Sequence, residues 1–235
     1  MRLPLLLTLI LISAASFGQY VWPKAGYNTP EPGLYTEDPF IIQYRKEFFA
    51  VFRGDFPRFE KALKEIEAMV EANPNDARAT VWKGNGRMVQ AGLALIQNKT
   101  EEAKSLYKES NVLLDRAVRL TPEDPNIYMM RAATLLLFHQ RFPREWNDRR
   151  VYERLRDDSL KFIEFIGPYR FPRTSIHLQG EALASLAIAY QELGLKSAAV
   201  KTWQRLVTSL PKTEYATKGR KELEALGVAA VSAES

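Results

Sequence analysis

Pro74, Pro122, Pro172 and Pro211 interrupt an otherwise helical sequence at intervals of 48, 50 and 39 residues. Proline cannot continue a helix and restricts the residue before it, so each marks an enforced turn. Between the turns the apolar residues repeat with a helical period. Phe59, Ala62, Leu63, Ile66, Met69 and Val70 line one face, and Lys61, Lys64, Glu65 and Glu71 take the other. Val112, Leu113, Ala117 and Leu120 form a second stripe; Ala199, Trp203, Leu206, Val207 and Leu210 form a third. Segments 127–137 and 183–193 are also apolar and long enough for helices, and nothing alternates as a strand would. Each interval accommodates two helices and two turns. The spacing therefore predicts an all-α chain of stacked helical hairpins rather than a closed bundle. Gly54, Gly92 and Gly194 read as tighter breaks within the intervals, and Thr100 as a helix cap followed by Glu101 and Glu102 in the first turn.

The two ends read differently. Residues 1–18 have the layout of a secretory signal peptide: Arg2, an apolar run from Leu3 to Ile12, then the small-residue segment from Ser13 to Gly18. The apolar run is shorter than the roughly 20 residues of a membrane-spanning helix. Cleavage is expected near Gly18 or after Ala15, with an uncleaved signal anchor tethering the chain to a membrane as the alternative. Residues 19–39 contain Pro23, Pro30, Pro32 and Pro39 among Tyr20, Trp22, Tyr27 and Tyr35, and read as an extended arm. The repeat domain is expected over residues 40–227. Its last amphipathic helix runs over 214–226 and is ended by Gly227, before a tail of small residues at 228–235.

Composition excludes several classes of chemistry. With no cysteine, disulfides, thiol catalysis, iron–sulfur clusters and a lipid anchor through cysteine are impossible. An exported chain of this length must then be held by its hydrophobic core. The formal charge is +5, from 33 basic and 28 acidic residues, and loss of Arg2 with the leader leaves an excess read as distributed over amphipathic helices. An exported compartment argues against nucleic acid as partner and leaves peripheral membrane contact at most.

No catalytic or metal pattern stands out. His139 and His177 lie in no spacing that sets two ligands on one helical face. Gly84-Asn85-Gly86 lacks the lysine-containing frame of a phosphate loop and reads as close helix packing. No serine sits in a nucleophile elbow. Asn98-Lys99-Thr100 is a glycosylation sequon, meaningful in a eukaryotic secretory host. In 141–156, six arginines are nearly balanced by Glu145, Asp148 and Glu153 with Asp157 and Asp158 following, which favours a salt-bridged surface over an anion-binding patch. No enzyme activity, cofactor or metal is expected.

One window is recognisable. Leu183, Leu186, Ala187, Tyr190, Gly194, Ala199, Trp203, Leu206 and Pro211 stand at the characteristic offsets of the tetratricopeptide repeat, and in this window the chain resembles that family. Trp82, Gly86, Ala117 and Pro122 hold corresponding places in an earlier, less regular unit, where the segment 91–107 requires lengthened helices or an inserted turn. The resemblance, over about 40–224, implies a small exported bacterial protein: a superhelical stack of about three to four hairpins plus a C-terminal capping helix. It also implies a non-catalytic scaffold that takes a protein or peptide partner on a concave face lined by the first helix of each hairpin. Expected partner-binding residues are Asn85, Arg131, Gln179 and Gln191, with Tyr169, Arg170 and Phe171 on an adjoining loop. A structural subunit of an envelope assembly is the alternative. A helical cell-wall enzyme using an acid such as Glu109 or Glu181 is a third.

Overall fold

A computed structural model describes residues 39–142, 146 and 148–228. The expected leader at 1–18 lies outside the described residues, as do the 19–39 arm except Pro39, which opens the first helix instead, and the 228–235 tail except Val228. The order is α1 (Pro39–Phe48), a 3-10 turn (Phe49–Arg53), α2 (Phe56–Ala72), α3 (Ala77–Ile96), α4 (Thr100–Leu120), α5 (Pro125–Arg141), α6 (Arg149–Arg170), a 3-10 turn (Phe171–Arg173), α7 (Ile176–Glu192), α8 (Lys196–Ser209) and α9 (Glu214–Ala225). The described residues are thus all-α, nine helices packed in antiparallel neighbour pairs without a strand.

Short polar residues start most of these helices. Asp55, Asp76, Asp124, Asp148, Ser175 and Thr213 precede α2, α3, α5, α6, α7 and α9, and each side chain accepts a backbone N–H from the first turn. That satisfies a donor no helical carbonyl can reach. Pro125 opens α5 instead of ending a helix, where its missing N–H costs nothing. Thr100 is the first helical residue of α4, not its cap, although Glu101 and Glu102 do occupy the first turn. Near the end of α6 the helix is kinked at Gly167, whose φ of 78° is in the left-handed region, and Pro168 starts the short helical turn that follows, where its missing N–H costs nothing.

Packing follows two rules. Each even helix lies against the helices before and after it, and the odd helices also touch in succession: α1 with α3, α3 with α5, α5 with α7, α7 with α9. The closest hairpin is α3 with α4. A Cβ at Gly84 would approach the Leu114 side chain to 3.0 Å, and Ser110 Oγ donates to the Gly84 carbonyl at 2.7 Å. At Gly86 a Cβ would meet Leu63 at 2.5 Å, so close approach accounts for both glycines. Gly92 makes no break. It lies inside α3 against the Phe142 ring, and the long 91–107 segment is absorbed by helices of 20 and 21 residues around a turn at Asn98, which has a φ of 60°.

Two apolar cores result among the described residues. One joins α1 to α4 with Ile127, Leu135 and Phe138 of α5; the other joins α6 to α9 with Met129, Ala132 and Leu136 of the same helix. Helix α5 therefore belongs to both. In α7 and α8, Leu183, Leu186, Ala187, Ala199, Trp203 and Leu206 are buried, and Gly194 turns the chain at a φ of 76°. The second stripe differs in part from its expected form: Leu113 and Ala117 are buried, but Val112 is 57% exposed and Leu114 takes the inward place.

Candidate functional site

The row of odd helices carries most of the buried polar chemistry. On α3, Asn85 donates from Nδ2 to Thr134 Oγ1 of α5 at 2.9 Å, joining two odd helices directly. One turn back on α5, Arg131 makes three charge-assisted bonds. Its Nε and Nη2 grip Asp158 of α6 at 2.8 and 2.6 Å, and Nη1 reaches Asp115 of α4 at 2.8 Å. Arg154 extends the lattice to Asp115 at 3.4 Å and to Asn111 at 2.9 Å. Asp158 is 1% exposed. Burial pushes its carboxyl above the usual aspartate value, and the Arg131 guanidinium pulls against that. A fork of this kind fixes three helices at one point.

The expected residues on α7 are also engaged. Gln179 is buried and donates to the carbonyls of Pro172 and Thr174 at 3.2 and 2.8 Å, closing the α6–α7 turn. Gln191 donates to Glu222 of α9 at 3.1 Å and accepts from the Trp203 indole N–H. Gln179 and Gln191 are twelve residues apart on α7, about 18 Å along the helix. Tyr169, Arg170 and Phe171 fall together on the α6–α7 turn, where Tyr169 is 71% exposed and Phe171 is 2% exposed. The favoured surface reading of 141–156 agrees with the described pairs Arg149–Glu153 at 2.9 Å and Arg150–Asp148.

A second polar group escaped the sequence reading. His177 Nδ1 lies 3.0 Å from the Tyr215 hydroxyl, which donates to Glu181 Oε1 at 2.9 Å, and all three residues are buried. Burial, with a smaller contribution from the Arg45 charge, pushes the His177 imidazole down to about 3. Burial likewise lowers the nearby Lys218 ammonium, opposed by Glu222 and Glu181. Gly180 makes room for this group, because a Cβ there would overlap the Tyr215 ring. His177 and Tyr215 are 38 residues apart, so no local spacing announces the contact. The other candidate acid, Glu109, is exposed and pairs with Arg87 at 2.9 Å.

Among the described residues no helix is long and apolar enough to cross a membrane. No protein-family model, curated protein or solved structure matches the chain.

Proposed function

We propose that the chain is a non-catalytic scaffold, exported to the bacterial envelope, that binds a peptide or protein along the inner face of its odd-numbered helices. The reading rests on the resemblance of residues 180–213 to tetratricopeptide repeats. One observation carries it furthest: α1, α3, α5, α7 and α9 touch in unbroken succession, with an even helix between each pair. Stacked hairpins in that order create an extended surface from one helix of each pair, a surface suited to laying out a partner chain. The polar groups along it are held by neighbours, Asn85 by Thr134 and Gln191 by Trp203 and Glu222. Held side chains lose less freedom on binding than mobile ones.

Site-specific photo-crosslinking in the native envelope tests the proposal. A photoreactive residue replacing Asn85 or Gln191 is expected to capture one partner, and a single peptide from that partner should displace it. The same residue at Val112 of α4 or Leu160 of α6, both exposed on even helices, should capture nothing specific. Capture from Val112 and Leu160 alone would reject the inner-face reading in favour of a structural subunit held by a broad outer surface.

A further inference from the structure

The excess positive charge is not spread evenly. Residues 165–180 and 193–213 contain Arg170, Arg173, Lys196, Lys201, Arg205 and Lys212 and no aspartate or glutamate, leaving 27 basic against 28 acidic residues in the rest of the chain. All six cations are exposed. Lys201 and Arg205 lie on α8, Lys196 and Lys212 at its two ends, and Arg170 and Arg173 on the α6–α7 turn, which the face of α8 that carries Arg205 adjoins, because the Arg205 guanidinium lies 5.2 Å over the Phe171 ring. Lys201 and Arg205 sit one turn apart on the same face of α8. Elsewhere Arg87, Arg131, Arg149 and Arg154 each hold a carboxylate. Among the described residues none of these six does.

Two of the guanidiniums are held in place. Arg173 stacks 4.1 Å over the Tyr169 ring and donates from Nη1 to the Tyr169 carbonyl at 2.8 Å, while Arg205 rests on Phe171. A guanidinium whose face is stacked on a ring keeps its N–H edge free for a carboxylate, which it grips with two parallel bonds. We infer that the outer face of α8 and the α6–α7 turn dock an acidic segment of a partner protein. The inference goes beyond the inner-face reading, since it uses none of the surface formed by the odd helices. A fixed pair of guanidiniums suits discrete carboxylates at set spacing. An anionic membrane would favour several protruding apolar side chains together, whereas here Phe171 is buried, Phe165 is packed against Tyr128 and Lys161, and Tyr169 on the turn and Leu195 before α8 are exposed singly.

The test is fluorescence anisotropy of a labelled peptide of alternating Glu and Ser, with a Gln and Ser peptide as its neutral counterpart. The full chain should bind the acidic peptide saturably, weaken with added salt, and ignore the neutral one. R173Q/R205Q should lose about tenfold or more in affinity, while R119Q, which removes an exposed charge on α4, should change nothing. If R173Q/R205Q melts lower than the parent, R170Q/K201Q replaces it, since neither of those side chains holds a ring. Equal binding of the two peptides, or full affinity in the charge-removed variants, overturns the inference. So does binding to vesicles containing phosphatidylglycerol without binding to the acidic peptide.

Discussion

Replacing Arg131 by methionine removes three charge-assisted hydrogen bonds at once and leaves the Asp158 carboxylate, 1% exposed, without its fork. Deleting one partner of a buried pair costs about 3–5 kcal/mol, because the other charge stays desolvated. Protonation limits the loss. Holding a carboxyl neutral in the fold while it ionises in the unfolded chain costs about 1.4 kcal/mol per pH unit above its ordinary value, or roughly 4 kcal/mol at pH 7 and about 1.5 kcal/mol at pH 5. R131M should therefore be destabilised by about 3–4 kcal/mol at pH 7, a large share of the ~5–15 kcal/mol typical of a domain, and by markedly less at pH 5. R131M/D158L removes both charges and leaves Asp115 with Arg154 at 3.4 Å. It should recover to within about 1.5 kcal/mol of the parent. Urea unfolding of the three proteins at both pH values measures all of this. A loss below about 1 kcal/mol for R131M at pH 7, an equal loss at the two pH values, or a double variant no more stable than the single one would refute the reasoning.

The remaining predictions concern α7 and α9. His177 is buried neutral, with a folded value of about 3 against about 6.5 when unfolded. Between those values the unfolded chain binds the extra proton, so stability falls as pH drops from 6.5 towards 3. The stability difference between the parent and H177Q should shrink or reverse over that window by up to about 4 kcal/mol in urea titrations; a constant difference would show that the imidazole titrates alike in both states. G180V forces a branched side chain into the Tyr215 ring and should cost about 1–3 kcal/mol or more, seen as a lower urea midpoint. An unchanged midpoint would mean that the ring moves aside freely. Ser185 Oγ is buried without a hydrogen-bond partner among the described residues, so S185A should be neutral or stabilising by up to about 1 kcal/mol. A loss beyond that would reveal a bond to the hydroxyl.

What could be read from the chain was whatever local physics determines. The stripe through Phe59, Leu63, Ile66 and Val70 is buried on α2, and Ala199, Trp203, Leu206 and Val207 are buried on α8, because a period of 3.6 defines a face without help from distant residues. Proline turns were legible for the same reason. Gly92 misled, since a glycine that ends a helix and one that admits an aromatic ring look alike in one dimension; the Phe142 ring that decides between them lies 50 residues away. Val112 and Leu114 exchanged roles because neighbouring apolar residues leave the inward direction open by about 100° per position. The polar sites were less legible still. Asn85, Arg131, Gln179 and Gln191 could be named as polar residues on or near helices, but Thr134, Asp158, Pro172 and Glu222 became their partners only through folding. Charge clustering was present in the sequence all along. It becomes a surface only once Arg205 is seen to reach Phe171.

Helix α5 gives Ile127, Leu135 and Phe138 to one core and Met129, Ala132 and Leu136 to the other. A cut at the turn before it strips the first half of those three side chains, and a cut after it strips the second half of the other three. A fragment that ends before α5 therefore exposes the apolar face α5 covers in the first core, and a fragment that begins after α5 exposes the face it covers in the second. Helix α5 is thus the joint of the stack, with α3 packed on it in one core and α6 and α7 in the other, so that a substitution that displaces it is felt in both.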